Sequence, residues 1–474
     1  MAHYYDELLK LCGFEGDEID REKPRIDRVF QRLELVPDDV KRGERWVSEN
    51  HDVELRGVRR LLRVWLMELV DLVLAKEEGK QIVYYGFPSI PAPTMAMKAA
   101  ANEASAELYC ANPEAILCHT LGQIFNKINP ILEAGEESGL PPGHGLCSLP
   151  QLRVGALAKG IIPIPDLATG SSYYCDVGSK TEELLCERYG YRTIYVDGSM
   201  DSRWGEYPYF PPERAELLGA QINRLLGTSK ESMGVEVTND SWDRARSEGR
   251  SLRGALDRLG QLMMADPLPI SAVEVSQARA LATGTTGRAL TEGAEAVSIL
   301  CDEVEKRVES GIGLVEKGAP RVFLFLASFS DPTIVHMMEN AGLAVTGTPV
   351  AGPTKSSIPK EHLPDAYATI AEMRAASALR GGIYHSSFGL AKRMEEAVRY
   401  SKADGFIWGY QFSCRPIAMG SHFVKQWVEE HTGVPTLSLE MDIYDSRNYN
   451  SATLRTKVEA FAEMLRARKA SVKT

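Results

Sequence analysis

The amino-acid sequence predicts an α/β protein with two parallel-sheet domains and additional helical segments. Two stretches, 82–198 and 321–442, alternate short apolar runs with helix-like segments. That alternation is typical of parallel strands covered by helices on both faces. Two other stretches, 1–75 and 226–318, carry apolar residues at helical spacing. The 474 residues, of which 44% are hydrophobic, suffice for two to four domains at about 100–200 residues each.

A helical segment is predicted over 1–75 and a first α/β domain over 76–225. The apolar run at 61–75 contains Arg63, Glu68 and Asp71, so it is predicted to be an amphipathic helix and not a membrane span. The strand-like runs of the first domain are IVYYGFPS (82–89), AELYCAN (106–112), DLATGSS (166–172) and RTIYVDG (192–198). The helix-like segments between them are TMAMKAAANEAS, CHTLGQIFNKI and SKTEELLCERYG.

A helical connection is predicted over 226–318 and a second α/β domain over 319–474. The strand-like runs of the second domain are RVFLFLA (321–327), GLAVTGTPVAG (342–352), GFIWGYQ (405–411) and TLSLEMD (436–442). Helices are predicted at 331–340, 365–379, 388–402 and 419–432, and in the closing segment SATLRTKVEAFAEMLRARK. The similar order of elements in the two domains indicates a duplicated architecture, although no residue-level repeat is visible.

Composition excludes several classes of protein. Lys plus Arg number 54 and Asp plus Glu number 65, which gives a net charge of −11 and argues against a nucleic acid as the main partner. Eight cysteines without a CxxC pair are too sparse for a disulfide scaffold and exclude zinc ribbons and ferredoxin-type clusters. The N-terminal MAHYYDELLK lacks the features of a signal peptide, so a reducing, cytoplasmic location is expected.

The common nucleotide and hydrolase motifs are also absent from the sequence. The nearest approach to a phosphate-binding loop, Gly347 to Ser356, has two extra residues before its Lys355 and is interpreted as a surface turn. No strand-like run is followed by GxGxxG, and neither HExxH nor GxSxG occurs. These absences remove the usual support for hydrolases and nicotinamide-dependent oxidoreductases.

Three cysteines are placed where α/β domains bind ligands, in loops beyond the carboxyl ends of strands. Cys414 follows GFIWGYQFS, and Cys175 follows DLATGSSYY and precedes a helix. Cys147 lies in a Gly/Pro loop at the start of a helix, whose N–H groups would favour a thiolate. The other five have apolar or helical neighbours and are predicted to be packing thiols: Cys12, Cys110, Cys118, Cys186 and Cys301.

Three thiolates could hold a [4Fe–4S] cluster and leave one iron open to water or substrate. Spacing alone supports this weakly, because 28 residues separate Cys147 from Cys175 and 239 separate Cys175 from Cys414. Three separate reduced thiols near strand ends are the alternative.

Four blocks of the sequence together resemble the 2-hydroxyacyl-CoA dehydratase and benzoyl-CoA reductase family of iron–sulfur subunits. The resemblance runs from about residue 82 to the C-terminus. The blocks are GHGLCSLPQLRVGA (143–156), IPIPDLATGSSYYCDVGSKTEELL (162–185), ADGFIWGYQFSCRPIAMG (403–420) and LSLEMDIYDSRNYNSATLRTKVEAFAEML (437–465). The resemblance implies that Cys147, Cys175 and Cys414 are the cluster ligands, the same three that their position after strands selects.

The resemblance also implies a fold and a reaction. It implies two flavodoxin-like domains with the cluster between them, and a homologous second subunit or a second copy of this chain as partner. A separate ATP-hydrolysing iron–sulfur activator would deliver single electrons. In the dehydratases, one electron converts the thioester carbonyl of an acyl-CoA to a ketyl radical anion, which expels hydroxide. In the reductases, the same electron path serves aromatic ring reduction.

The acid/base and substrate-binding residues are less well defined by the resemblance. Where many members have Pro-Glu-Leu after the first strand, this chain has Pro88-Ser-Ile-Pro, so Ser89 is the candidate catalytic hydrogen-bond donor, with a turn or helix-capping role as the alternative. His144 is a candidate for binding substrate or for donating hydrogen bonds around the cluster, and His385 and Ser386 are candidates for the second role only. Loop hydrogen bonding is the alternative for all three. Arg415 is a candidate for contacting the thioester or a CoA phosphate, with solvent-facing pairing as the alternative.

The leading prediction is therefore the [4Fe–4S] subunit of a radical 2-hydroxyacyl-CoA dehydratase in an anaerobe's cytoplasm. The cluster subunit of an ATP-dependent benzoyl-CoA-type reductase is the second possibility. A third is a double-cubane electron-transfer protein without an acyl-CoA site, which would use further thiols such as Cys110 or Cys118 as ligands. The acyl group is not specified by the sequence.

Overall fold

The computed structural model describes residues 4–86, 91–141, 146–170, 176–196, 204, 211–347 and 387–471. Within these residues the chain forms two four-stranded sheets in which every strand pairing is parallel. Helices separate the strands and form additional helical layers. The predicted α/β class with two parallel sheets is confirmed.

The first sheet has the strand order β2-β1-β3-β4. The central strand β1 is fully buried from Ile82 to Tyr85, as expected for an apolar run with helices on both faces. Its strands are β1 (Gln81–Tyr85), β2 (Leu108–Ala111), β3 (Leu167–Gly170) and β4 (Arg192–Tyr195). The helices between these strands are α5 (Pro91–Glu103), α6 (Pro113–Leu117), α7 (Asn129–Glu137), α8 (Ser148–Ala158) and α9 (Asp176–Tyr189).

The second sheet repeats this topology in the order β6-β5-β7-β8. Its strands are β5 (Arg321–Phe325), β6 (Ala344–Gly347), β7 (Gly405–Tyr410) and β8 (Thr436–Glu440). In both sheets the order reverses between the first and third strands, as in flavodoxin-like folds, and ligands bind such sheets at that point. The duplicated architecture predicted from the order of elements is thus confirmed.

Helices also join the two sheets and precede the first one. The N-terminal helices are α1 (Asp6–Leu11), α2 (Gly16–Arg32), α3 (Pro37–Asn50) and α4 (Arg56–Leu74). The connecting helices are α10 (Pro212–Met233), α11 (Asn239–Leu262), α12 (Ala272–Gly284) and α13 (Glu292–Glu309). The second sheet carries α14 (Thr333–Asn340), α15 (Ser387–Tyr400), α16 (Arg415–Thr432) and α17 (Ser451–Ser471).

The N-terminal helices and the connection pack into one helical layer. Helix α4 is buried along nearly its whole length, and a Cβ at Gly57 would lie 2.5 Å from the backbone of Leu300 in α13. Arg63 of α4 pairs with Glu292 of α13. Among the described helices, none combines the length and apolar character needed to cross a membrane.

Two helix predictions differ from the structure. The segment CHTLGQIFNKI is not one helix, because Cys118–Gly122 forms a π-helical turn after α6 and the chain then leaves the helix. The helix predicted at 419–432 begins at Arg415, because Pro416 suits the first turn of a helix and does not interrupt it. The helix predicted at 365–379 lies outside the described residues.

Candidate functional site

The third strand of each sheet leads into a predicted ligand cysteine followed directly by a helix. After β7 the chain turns over four residues, and Cys414 is the N-cap of α16. After β3 the corresponding residue of the sequence is Cys175, which lies outside the described residues, and α9 begins at the next residue, Asp176. In the sequence, each cysteine therefore follows the third strand of a sheet, which is next to the point where the strand order of that sheet reverses.

Cys147 and Cys414 both lie next to Gln411, the first residue after β7. The Cys147 thiol donates to Gln411 Oε1 at 3.6 Å, and the Cys414 backbone N–H donates to the Gln411 carbonyl at 3.0 Å. Cys147 is the N-cap of α8, as Cys414 is of α16, and both cysteines are partly exposed. Two of the three predicted ligands thus contact a single residue, and both stand at helix N-termini, which favour a thiolate.

A buried polar network surrounds the contact between Cys147 and Gln411. Asp442, two residues beyond the end of β8, accepts hydrogen bonds from Ser148 Oγ and from Gln411 Nε2, the latter at 3.1 Å. Asn448 Nδ2 donates to Asp442 Oδ2 at 3.0 Å, and the backbone N–H of Tyr444 donates to Oδ1 at 3.0 Å. Burial raises the pKa of Asp442, and these donors oppose that effect by stabilising its carboxylate. Because Ser148 begins α8, the network ties that helix to the carboxyl edge of the second sheet.

A buried charge cluster joins α8 to its neighbours in the first domain. The guanidinium of Arg153 contacts Glu182 Oε1 of α9 at 2.5 Å and Glu114 Oε2 of α6 at 2.7 Å. Tyr191 donates a further hydrogen bond to Glu182 at 2.9 Å. Burial raises the pKa of Glu182 even beside Arg153. The cluster holds together α8 and α9, the two helices that begin directly after Cys147 and Cys175.

Comparison with known proteins assigns the chain to a family. The model of the 2-hydroxyglutaryl-CoA dehydratase D-component family matches residues 108–465. The chain belongs to this family. Membership agrees with the resemblance of its four sequence blocks.

Two curated relatives are dehydratase subunits. The alpha subunit of (R)-2-hydroxyglutaryl-CoA dehydratase from Acidaminococcus fermentans is 21% identical over 309 residues, or 65% of this chain. That match spans 61% of the Acidaminococcus subunit, less than two thirds of its length. The alpha subunit of (R)-phenyllactyl-CoA dehydratase from Clostridium sporogenes is 22% identical over 443 residues, covering 89% of this chain and 99% of that subunit.

Of the remaining candidate residues, the structure describes only Arg415. Arg415 is exposed on the first turn of α16, next to Cys414. Ser89, His144, His385 and Ser386 lie outside the described residues, as does Cys175. Within the described ranges, no three His, Cys, Asp or Glu side chains are grouped in a way that could hold a metal ion. A three-cysteine site therefore requires Cys175.

The other cysteines mostly have the packing role predicted for them. Burial raises the pKa of Cys12 and Cys110 to about 12 and that of Cys301 to about 11. Burial also raises the pKa of Cys118 well above its ordinary value. The packing prediction is wrong for Cys186, which is partly exposed on α9 and donates to the Glu183 carbonyl at 3.3 Å.

Sequence reasoning missed Gln411, Asp442, Ser148 and Arg153. The signal for the first two was available, because each is the last residue of a strand-like run, at the edge of the sheet where ligands bind. Ser148 and Arg153 lie in the same sequence block as Cys147, but nothing in that block indicates that they are buried.

Proposed function

We propose that this chain is the [4Fe–4S] subunit of a radical, ketyl-forming 2-hydroxyacyl-CoA dehydratase, with Cys147, Cys175 and Cys414 as the cluster ligands. The observation that carries the proposal is the hydrogen bond of the Cys147 thiol, at the start of α8, to Gln411, which lies three residues before Cys414 in the turn after β7. A cluster bound there would lie between the domains that we place at 76–225 and 319–474. Membership of the dehydratase family supports the same assignment.

The described residues suit such a group chemically. Three thiolates are enough to hold a [4Fe–4S] cluster with one iron open. Two of the cysteines are partly exposed and stand at the N-cap positions of helices, where the helix dipole stabilises the negative charge of a thiolate. The Asp442 network and the Arg153 cluster would hold the helices that carry the ligands at a fixed separation.

The cluster, when bound, would supply one electron and a Lewis-acidic iron for the thioester carbonyl. The role of the chain is then to hold the sulfurs and to orient the acyl-CoA. Arg415 is placed beside Cys414 with its side chain exposed, which suits contact with a thioester or a CoA phosphate. Ser89 and His144 remain proposed as a catalytic hydrogen-bond donor and a substrate-binding residue.

Partners follow from the same proposal. Both curated relatives are named alpha subunits, which supports a second, homologous subunit or a second copy of this chain. The sequence has no intact phosphate-binding loop, so a separate ATP-hydrolysing iron–sulfur activator would deliver the electron.

The alternatives are less well supported. The names of both relatives favour dehydration over aromatic ring reduction. A double-cubane protein would need further accessible thiols, but Cys110 and Cys118 are 1% and 0% exposed. Burial raises the pKa of both thiols, which disfavours the thiolate that iron requires.

Iron analysis after anaerobic purification tests the cluster directly. We expect about four irons and four sulfides per chain. Replacing Cys147, Cys175 or Cys414 by Ser should abolish the visible absorption of the cluster. Cys186→Ser changes another partly exposed thiol and should leave it intact. About eight irons, or an intact cluster after all three changes, would reject the assignment.

Activity assays then separate dehydration from reduction. The purified chain would be combined with its partner subunit, an activator, ATP and a panel of 2-hydroxyacyl-CoA and aromatic acyl-CoA thioesters. We expect loss of water from a 2-hydroxyacyl-CoA, detected by mass spectrometry of the CoA products. Reduction of an aromatic thioester without any dehydration would contradict the proposal.

A further inference from the structure

Gln411 contacts both predicted cluster ligands that the structure describes, one through its side chain and the other through its backbone. Its Oε1 accepts from the Cys147 thiol at 3.6 Å, and its backbone carbonyl accepts from the Cys414 N–H at 3.0 Å. The residue is 3% exposed, so the contact is shielded from water. A side-chain substitution at Gln411 therefore removes the contact with the Cys147 sulfur and leaves the backbone bond to Cys414 in place.

The carboxamide of Gln411 is held in place by two further hydrogen bonds. Its Nε2 donates to Asp442 Oδ2 at 3.1 Å and to Ser413 Oγ at 3.0 Å. Asp442 is itself fixed, because Asn448 and the backbone N–H groups of Tyr444 and Asp445 also donate to its carboxylate. The amide group is thus oriented by the protein and lies against the sulfur of Cys147.

We propose that Gln411 is a positioning residue for the iron–sulfur cluster, with its carboxamide as the hydrogen-bond partner of the Cys147 sulfur and Asp442 as the residue that orients it. This inference rests on the cluster assignment proposed above. It adds to that assignment a specific contact that would set the properties of the bound cluster.

The chemistry of the contact changes when the sulfur binds iron. A sulfur bound to iron is a thiolate, so it accepts hydrogen bonds and has no proton to donate. The amide must then rotate so that its N–H end faces the sulfur, which turns its oxygen to Ser413 Oγ and Asp442 Oδ2. The Ser413 hydroxyl donates to that oxygen, and Asp442 pairs with it as the neutral acid, the form that burial favours. Hydrogen bonds to cluster sulfurs stabilise the additional negative charge of the reduced state and raise its reduction potential.

The test compares the wild-type chain with Gln411→Met, which keeps the length of the side chain and removes the amide donor. Gln426→Met is the matched control, since Gln426 is an exposed residue of α16 that bonds only to Glu430 among the described residues. Gln411→His is the rescue variant, because its ring N–H can restore a donor. Each protein is purified anaerobically, its iron is counted, and its midpoint potential is measured by EPR-monitored titration.

We expect Gln411→Met to shift the midpoint potential to a more negative value, and we expect electron–nuclear double resonance to lose one exchangeable-proton coupling. Gln426→Met should match the wild type, and Gln411→His should recover part of the shift. If Gln411→Met remains folded but binds less than half of the wild-type iron, recovery of iron by Gln411→His supports the positioning role, and lack of recovery overturns it.

Two outcomes separate this inference from the proposed function. A wild-type chain without iron and sulfide removes the cluster assignment and, with it, this inference. A Gln411→Met protein with full iron, an unchanged midpoint potential and an unchanged proton coupling overturns the role of Gln411 alone, while the cluster assignment stands.

Discussion

Replacing Arg153 by Met would leave two carboxylates in one buried space without their shared cation. Arg153, Glu114 and Glu182 have side chains that are only 1%, 3% and 4% exposed, and the two ion-pair distances are 2.7 and 2.5 Å. Water cannot replace the guanidinium at this depth. The side chain of Met is comparable in length, so the substitution mainly removes the charge and its hydrogen bonds.

Removing one partner of a buried ion pair costs about 3–5 kcal/mol. The carboxylates can take up protons in response, which places the expected loss near the lower limit, at about 3 kcal/mol. Because the pKa of a buried carboxyl group without its cation lies above that of the unfolded chain, the penalty is absent at low pH, grows as pH rises above the unfolded-state pKa, and levels off above the folded-state pKa. The exposed pair Lys180–Glu183 on the neighbouring helix α9, with side chains 73% and 61% exposed, is the matched comparison.

Urea unfolding, followed by far-ultraviolet circular dichroism at pH 5 and pH 8, measures these effects. We expect Arg153→Met to lose about 3 kcal/mol of unfolding free energy at pH 8 and less at pH 5. Lys180→Met should change stability by no more than about 0.5 kcal/mol at either pH. Equal losses in the two variants, or a loss for Arg153→Met that is greater at pH 5, would refute the reasoning.

Other predictions concern the helical layer. Burial lowers the pKa of His336, but the hydrogen bond and charge of Glu339 outweigh it and raise the pKa to about 9. The resulting stability, roughly 3 kcal/mol, is present below pH 6.5 and lost as pH rises through 9, so His336→Gln should destabilise the protein at pH 6 but hardly at pH 10 in urea titrations. An equal loss of unfolding free energy in His336→Gln at pH 6 and at pH 10 would contradict this explanation. Gly57→Ala should destabilise by about 1–3 kcal/mol, because its Cβ would meet the backbone of Leu300 at 2.5 Å. Gly227→Ala lies inside α10, where no atom is within 4 Å of the added Cβ, so it should stabilise the protein by about 0.5–1 kcal/mol in the same assay. If both glycine substitutions changed the unfolding free energy in the same direction, the packing argument would be wrong.

Much of the fold follows from local sequence. Strand β1 and strand β7 are apolar runs with turn residues after them, so periodicity alone locates them to within a few residues. The predicted start of α16 at residue 419 is four residues too late, because a helix accepts a proline such as Pro416 in its first turn. The partial exposure of Cys186 depends on which face of α9 packs inward, and its neighbouring residues in the sequence do not indicate that.

The candidate site was less accessible to sequence reasoning, because its contacts are long-range. Cys147 and Gln411 are 264 residues apart, and Ser148 and Asp442 are 294 apart. The position of Gln411 and Asp442 after strands shows which edge of the sheet they lie on. It does not reveal that α8 of the other domain reaches the same point, since that depends on how the two sheets pack.

The pairing of α4 with α13 also determines the order in which the chain can fold. Arg63 and Glu292 are 229 residues apart, so the apolar surface of α4 has no partner in α13 until much of the chain has been synthesised. Loop closure over that distance is slow compared with the formation of local helices. Nascent chains that end before residue 292 should therefore expose a long apolar helix and depend on chaperones. Synthesis of α13, the last helix of the connection, therefore completes the packing of the N-terminal helices.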